Sequence, residues 1–251
     1  MILSELAAPD LMQIMLAAAA IFLGGFLRGF VGFGGALVII PVLALIFTPK
    51  LAVVIHAITE LPGIVQLLPT AVRHCVRRTV LPMIIALVIG TPFGVYALTA
   101  VDTDTMRIVI SALVLIMVAM LALNARINFT ANMRATVTGG IIGGIIQGAT
   151  GIGGPPVVAL LLSRGEDPAT TRGNIVVMMS SMVIIALPFL WIYGLISARS
   201  LILGSFAAPI YLLATYLGFR YFQTGGSGIY RTMALLILAL TAISTLVIGF
   251  L

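Results

Sequence analysis

Glu60 and His56 are the two residues of this sequence best suited to carry a proton. They are four positions apart in the apolar run 51–71, and this spacing places them on one face of a helix. An ionisable side chain inside such a run is costly unless it has a partner or water. The pair is therefore predicted to take up and release a proton. A structural hydrogen bond that fixes the helix is the alternative.

Two glycine clusters, at 32–35 and 151–154, could bind an anion through the backbone. Each interrupts an apolar stretch, and a helix that begins there presents free N–H groups and a partial positive charge. Glycine also lets a ligand approach closely. Two such helix ends would hold a small oxyanion, and the glycines predicted to contact it are Gly32, Gly34, Gly35, Gly151, Gly153 and Gly154. Close helix packing is the alternative, and it is preferred for Gly24, Gly25, Gly143 and Gly144.

Four polar side chains near these clusters are further candidates for the anion site. Arg28, just before the first cluster, could bind an oxyanion through two donors or extend to the membrane surface. Gln147 and Thr150 flank the second cluster and could donate to the anion or satisfy helix ends. Asn174, near the start of an apolar run, could contact the anion or cap its helix. Minor candidates are Ser180 and Ser181.

The composition indicates that these residues lie in a membrane. Hydrophobic residues make up 61% of the 251-residue chain and charged residues only 8%, whereas soluble domains carry about 25% charged residues. A free cytosolic enzyme, a secreted disulfide scaffold and a disordered chain are excluded. The excess of basic residues is expected in cytoplasmic loops and does not indicate nucleic-acid binding.

The apolar runs predict an all-α polytopic membrane protein. Runs close to the roughly 20 residues that a spanning helix needs cover 12–30, 51–71, 79–99, 106–124, 173–194, 200–222 and 229–251. Shorter runs cover 36–47, 135–148 and 155–163. Broken backbone is tolerated in a membrane only where protein or water surrounds it, so the glycine clusters should lie inside the bundle.

The chain is predicted to contain two homologous halves. The glycines at 24, 25, 29, 32, 34 and 35 recur 119 positions later, at 143, 144, 148, 151, 153 and 154. Such self-similarity indicates an internal repeat. The halves are 1–124 and 125–251, and each is predicted to hold a glycine-broken helical hairpin followed by three long helices.

The basic residues favour an inverted arrangement of these halves. If each broken element is a hairpin that returns to the side it entered from, nine basic residues lie on one side, with Lys50, Arg107 and Arg199 on the other. If each element crosses once, the division is six against six. Both counts leave out Arg28. The first division fits the rule that cytoplasmic loops are positively charged, and it places both termini outside the cytoplasm.

The sequence resembles the TauE/SafE family of sulfite exporters. The resemblance rests on the 32–35 cluster with Pro41 downstream, and on the 151–154 cluster followed by Pro155 and Pro156. Length, two-half organisation and the order of spans are also similar, so the resemblance covers nearly the whole chain. It implies transport of sulfite, sulfonates or related sulfur-containing anions across bacterial inner membranes. Asn174 resembles an asparagine that is frequent at this point in the family.

The residues and the resemblance together predict a multi-pass protein of the cell inner membrane that exports a small sulfur-containing oxyanion. Inverted repeats with broken helices are typical of secondary transporters that work by alternating access. Glu60 and His56 would couple the anion to protons. The expected partners are the anion, protons and lipid. No cofactor, metal or nucleic acid is expected, and the oligomeric state is left open.

A passive anion channel with the same glycine site is the alternative function. An intramembrane enzyme is disfavoured, because the sequence has no Gly-x-Ser-x-Gly or His-Glu-x-x-His motif and lacks the acids for a metal site.

The inverted arrangement predicts that a tag fused to the C-terminus is accessible from the side opposite the cytoplasm. A membrane-impermeant reagent applied to intact spheroplasts measures this, with a tag in the 73–78 loop as the cytoplasmic control. A C-terminal tag protected like the control would contradict the inverted arrangement.

Overall fold

The computed structural model describes residues 10–122 and 132–224, and these form nine α-helices and no strand. The predicted run 229–251 lies outside the described residues. The helices are α1 (Leu11–Val31), α2 (Gly35–Ile46), α3 (Pro49–His74), α4 (Arg77–Ala100), α5 (Thr103–Ala122), α6 (Met133–Thr150), α7 (Gly154–Leu162), α8 (Pro168–Ile192) and α9 (Ala198–Gln223).

The predicted all-α, multi-pass class is confirmed. Within the described ranges, α1, α3, α4, α8 and α9 are long and apolar enough to cross a membrane. Large apolar side chains such as Phe93, Trp191 and Phe206 are exposed on the outside of the bundle, a surface that suits lipid and not water. By contrast α2 and α7, with 12 and 9 residues, are too short to span a bilayer.

The first glycine cluster makes a tight turn between α1 and α2. Gly32 ends α1 with φ 91° and Gly34 precedes α2 with φ 93°, a left-handed backbone that glycine adopts without a steric penalty. The chain then folds back, because a β-carbon on Gly24 of α1 would lie 2.6 Å from Cγ1 of Ile39 in α2. The first broken element is therefore an antiparallel hairpin.

The second glycine cluster repeats this geometry between α6 and α7. Gly151 ends α6 with φ 71°, and a β-carbon on Gly143 of α6 would lie 2.8 Å from Cγ2 of Val157 in α7. One difference from the first hairpin is at Gly153, which precedes α7 with a right-handed φ of −69°. The prediction that Gly24 and Gly143 serve close helix packing is confirmed.

The helices that follow the hairpins begin at equivalent positions. Pro49 opens α3 and Pro168 opens α8, and these prolines are 119 positions apart. Proline suits the first helical turn because its missing N–H is not needed there. The residue before each proline caps the helix: Thr48 accepts from the N–H of Leu51, and Asp167 accepts from two N–H groups of the first turn. The sequence repeat is thus repeated in the helix boundaries.

Each hairpin packs against a long helix of the other half. α1 lies along α9, and its counterpart α6 lies along α4. Glycine brings the backbones together in both pairs: Gly29 faces the backbone of Thr215, and Gly148 faces the backbone carbonyl of Thr91. Small residues permit this close approach in membranes. The two halves therefore interlock, while their boundary near residue 124 lies outside the described residues and stays a prediction.

The central helices of the bundle are α3 and α8. They pack against each other and are the most buried of the spanning candidates. The residues at the heart of this contact include polar ones, since His56, Glu60 and Ser180 are all buried. The candidate site is built on these two helices and on the hairpin tips.

Replacing Gly148 with alanine is expected to destabilise the bundle by about 1–3 kcal/mol, the usual cost of overpacking, because the new methyl group would strike backbone atoms of α4. Gly139→Ala is the matched control on the same helix, where the methyl group would meet only the flexible end of Leu160. Thermal unfolding of both variants in detergent measures the difference. Equal melting temperatures would contradict the role given to this contact.

Candidate functional site

A small cavity lies where the two glycine turns meet inside the bundle. Its volume is about 30 Å³, enough for about two water molecules by the one-probe-sphere measure. The predicted site residues that line it are Arg28, Gly34, Gly35, His56, Glu60, Gln147, Gly151 and Gly154. Predicted residues from two separate stretches of the first half and one stretch of the second half are thus brought together at one place.

The cavity is built from equivalent residues of the two halves. Five pairs that are 119 positions apart contribute one member each from the first and the second half: Arg28 and Gln147, Phe33 and Ile152, Gly35 and Gly154, Ala36 and Pro155, and Glu60 and Met179. The backbone framework is therefore repeated, while the charges come from the first half alone.

The N-terminal ends of α2 and α7 both reach this cavity. Gly35 is the first residue of α2 and Gly154 is the first residue of α7, and both line the cavity. The N–H groups of a first helical turn have no carbonyl partner within their own helix. Together with the helix dipoles they make the cavity favourable for negative charge.

Arg28 joins three helices at the edge of the cavity. Its Nε atom lies 2.5 Å from Oε1 of Glu60 in α3. One terminal nitrogen donates to the carbonyl oxygen of Gly32, and the other donates to the hydroxyl of Ser180 in α8 at 3.1 Å. The side chains of Arg28 and Glu60 are only 3% and 6% exposed. The alternative in which Arg28 extends to the membrane surface is therefore wrong.

Glu60 also contacts His56, as their spacing predicts. Nε2 of His56 lies 3.3 Å from Oε2 of Glu60, so the carboxylate lies between an arginine and an imidazole. Nδ1 of His56 is buried and has no hydrogen-bond partner among the described residues. The contact between the two side chains is confirmed, and its role in proton movement stays a prediction.

Gln147 stabilises the second turn where Arg28 stabilises the first. Its Oε1 accepts a hydrogen bond from the N–H of Gly153 at 3.0 Å. Each side chain thus closes the glycine turn of its own hairpin, Arg28 through the Gly32 carbonyl and Gln147 through the Gly153 amide. The N–H of Gly153 is occupied, and Pro155 and Pro156 have no N–H, so the donor that the second turn offers an anion is the N–H of Gly154.

Some predicted site residues have other partners in the structure. The hydroxyl of Thr150 donates to the carbonyl of Ile146 and accepts from the N–H of Ile152, so it satisfies a helix end. Asn174 accepts from the N–H of Val76 and donates to a Glu166 oxygen at 2.5 Å. Asn174 therefore bonds the residue before α4 and the loop before α8, and it does not cap its own helix, whose cap is Asp167. Gly32 and Gly153 shape the turns and do not line the cavity.

Ser180 and Ser181, which the sequence does not distinguish as candidates, have different partners in the structure. Ser180 contacts Arg28, whereas Ser181 donates to the carbonyl of Val177 in its own helix. Met179 and Met182 line the cavity as well, although apolar residues in a buried helix carry no signal of a site in the sequence. The position of Met179, 119 after Glu60, is the one signal that could have identified it.

Arg172 is one of the nine basic residues that the sequence assigns to one side of the membrane, just before the run 173–194, and the structure places it inside the bundle. It lies in α8 and is buried. Its guanidinium lies 4.5 Å from the ring centre of Phe222 and donates to the carbonyl oxygens of Gly29 and Phe30. Those carbonyls belong to the last turn of α1, where helix carbonyls lack partners and favour a cation.

Comparison with known proteins assigns the chain to a family. The family model described as sulfite exporter TauE/SafE matches residues 17–245, which is most of the 251 residues. No curated protein and no solved structure matches the chain. The match covers both hairpins and every helix that contributes to the cavity. This multi-pass membrane protein therefore belongs to the TauE/SafE family of sulfite exporters.

Proposed function

We propose that this protein is a secondary transporter that exports sulfite or an organosulfonate across the bacterial inner membrane, coupled to protons and by alternating access. The observation that carries the proposal is the shared cavity. Both glycine turns and the buried cluster of Arg28, Glu60 and His56 lie at it. Family membership supports a sulfur-containing anion as the substrate class.

The cavity suits an oxyanion with a compact, multiply charged or polar head. The helix ends at Gly35 and Gly154 supply N–H donors from opposite hairpins. Arg28 supplies charge-assisted hydrogen bonds, which are shorter and stronger than neutral ones. Sulfite and sulfonates both present three oxygens on one sulfur, so they would use the same donors.

Charge balance supports coupling to a proton. With a neutral imidazole, Arg28 and Glu60 together carry no net charge, and burying an uncompensated charge is costly. An anion that enters alone would leave the site negative. A proton on Glu60 restores neutrality and ends the attraction that holds Arg28, so the guanidinium can turn to the anion. Proton and monoanion then move together, in the direction set by the sum of their gradients.

The geometry favours a transporter over the alternative of a passive channel. A cavity of about 30 Å³ is not a water-filled pore, and a sulfur oxyanion fits only if Arg28 and Glu60 move apart. The site lies between interlocked halves whose antiparallel hairpins are compatible with the inverted arrangement. Rocking of one half against the other would expose such a site to each side in turn.

Proteoliposomes test the coupling. With an imposed pH gradient, the wild-type protein is expected to accumulate methanesulfonate, which stays a monoanion, by about tenfold per pH unit if one proton accompanies it, since 1.4 kcal/mol corresponds to a factor of ten. Glu60→Gln imitates the protonated acid and is expected to abolish this dependence while anion exchange continues. Asp104→Asn, which changes an exposed acid on α5, is the control.

Two outcomes would contradict the proposal. Absence of gradient-dependent flux of both sulfite and methanesulfonate, relative to protein-free liposomes, excludes proton-coupled export of this class. Full coupling in Glu60→Gln removes Glu60 from the mechanism. Flux far above transporter turnover and independent of pH would instead favour the channel.

Arg28→Lys tests the anion contact itself. Lysine keeps the positive charge but lacks the planar guanidinium. It therefore cannot hydrogen-bond the Gly32 carbonyl, the Ser180 hydroxyl and an anion at the same time. Losing one or more charge-assisted hydrogen bonds is expected to weaken sulfite binding about 10- to 100-fold, as measured by isothermal titration of the purified protein. Arg220→Lys, an exposed change on α9, is the control. Unchanged affinity in Arg28→Lys would place the anion elsewhere.

A further inference from the structure

The seam between α3 and α9 contains buried hydroxyl groups that the anion site does not use. Tyr211 and Thr215 of α9 are both fully buried. Neither hydroxyl makes a hydrogen bond to any described residue. Both face Gly63 of α3, where a β-carbon would lie 2.8 Å from Cε1 of Tyr211 and 3.6 Å from Oγ1 of Thr215. A buried hydroxyl without a partner is costly, so such a pair points to a function.

This seam begins directly behind Glu60. Gly63 is three positions after Glu60, and residues at this spacing are neighbours on a helix surface. The Tyr211 hydroxyl lies near the side chains of Glu60 and Arg28 without making a hydrogen bond of normal geometry to either. Neither Tyr211 nor Thr215 lines the anion cavity. Glu60 therefore has one side towards the glycine turns and another towards α9.

A second, larger cavity lies further along the same two helices, at the C-terminal ends of α3 and α9 and the start of α8. That cavity has a volume of about 190 Å³ and polar lining residues that include Thr70, His74, Arg172 and Gln223. Glu60, Gly63, Thr70 and His74 follow one another at spacings of three, seven and four, which is one face of α3. Arg77 and Arg78 open α4 after two further residues, and this end of the bundle is the side predicted to be cytoplasmic.

A layer of apolar side chains lies between the hydroxyl groups of Tyr211 and Thr215 and this second cavity. By register, Leu67 of α3 and Phe219 of α9 follow Gly63 and Thr215 by one turn each, and Phe219 forms part of the cavity wall. From Gly63 to Thr70 the helix rises about 10 Å at 1.5 Å per residue. A chain of a few waters bridges such a distance once these side chains move.

We propose that the α3–α9 seam is a proton path from the cavity at His74 to Glu60, separate from the route of the anion. This inference rests on the proposed function. Thr215, Tyr211 and Glu60 do not hydrogen-bond one another directly, so the path needs a water between each pair. Each hydroxyl oxygen accepts a proton from the water on one side and gives its own proton to the water on the other side, and the last water protonates the Glu60 carboxylate. No bond to a heavy atom changes. The charged and titratable groups that face Glu60 are Arg28 from α1, His56 on α3 and Tyr211 from α9.

The seam is unsuited to the anion. The ring of Tyr211 packs directly on the backbone at Gly63, which leaves no space there for an anion. Two routes to one carboxylate allow the proton to load from the cytoplasmic side without passing the glycine turns. The anion and the proton then meet only at Arg28 and Glu60.

The double variant Tyr211→Phe with Thr215→Val tests the path, because both changes remove a hydroxyl and preserve shape. In proteoliposomes with an internal pH dye, net methanesulfonate flux and the accompanying proton flux are expected to fall about tenfold or more. Exchange of labelled for unlabelled methanesulfonate at equal pH needs no net proton release and is expected to remain. The single variants at position 215 are then compared. Thr215→Val is expected to lower net flux, whereas Thr215→Ser, which retains a hydroxyl, is expected to keep it.

Matched controls are Thr91→Val, a buried threonine whose hydroxyl bonds its own helix, and Tyr216→Phe, the neighbour of Thr215 on the outside of α9.

Wild-type net and proton flux in the double variant would overturn the path while leaving the proposed function intact. Loss of exchange together with net flux would also overturn it, since the hydroxyls would then serve anion binding or folding. Absence of proton flux in the wild type would instead refute the coupling itself. If the double variant does not fold, Tyr211→Phe alone carries the same comparison.

Discussion

The ion pair between Arg28 and Glu60 is the interaction on which the site depends. Both charges are buried inside the bundle, where either one alone would be strongly destabilising. Their pairing attaches the tip of the first hairpin to α3, and the contact with Ser180 extends it to α8. Because the pair is neutral as a whole, any anion that binds must arrive with a proton or displace the carboxylate.

The repeated backbone carries an unequal set of side chains. Arg28 corresponds to Gln147 and Glu60 corresponds to Met179, and all four line the cavity. Both hairpins need a polar side chain to close their glycine turn, but only the first needs a charge. A second arginine at position 147 would add a positive charge without a carboxylate opposite it, since methionine occupies that place. The duplication therefore supplies two helix ends, while one half supplies the charge.

The sequence predicted most of the helices and the glycine turns because both follow from local properties. Apolar runs of spanning length became α1, α3, α4, α8 and α9, and the clusters at 32–35 and 151–154 became turns because glycine adopts left-handed backbone. The inverted orientation and the halves' boundary remain predictions. Thr150 and Asn174 could not be placed from the sequence, since a polar side chain near a turn can satisfy either a ligand or the helix end beside it. Their actual partners, Ile146 and Ile152 for one and Val76 and Glu166 for the other, depend on side-chain direction.

By itself the sequence determined the membrane class and the presence of an acid beside a histidine within an apolar run, because composition and spacing along one helix are enough for each. The internal repeat is a prediction from the spacing of the glycines. Only the tertiary structure decided which polar residues meet. Arg28 is 32 positions from Glu60 and 152 positions from Ser180. Tyr211 comes from the predicted second half and packs against Gly63, next to Glu60 on α3. Such contacts depend on how closely the helices approach and at what register. In this bundle the glycines of α1, α4, α6 and α9 determine that approach, through contacts that no local pattern describes.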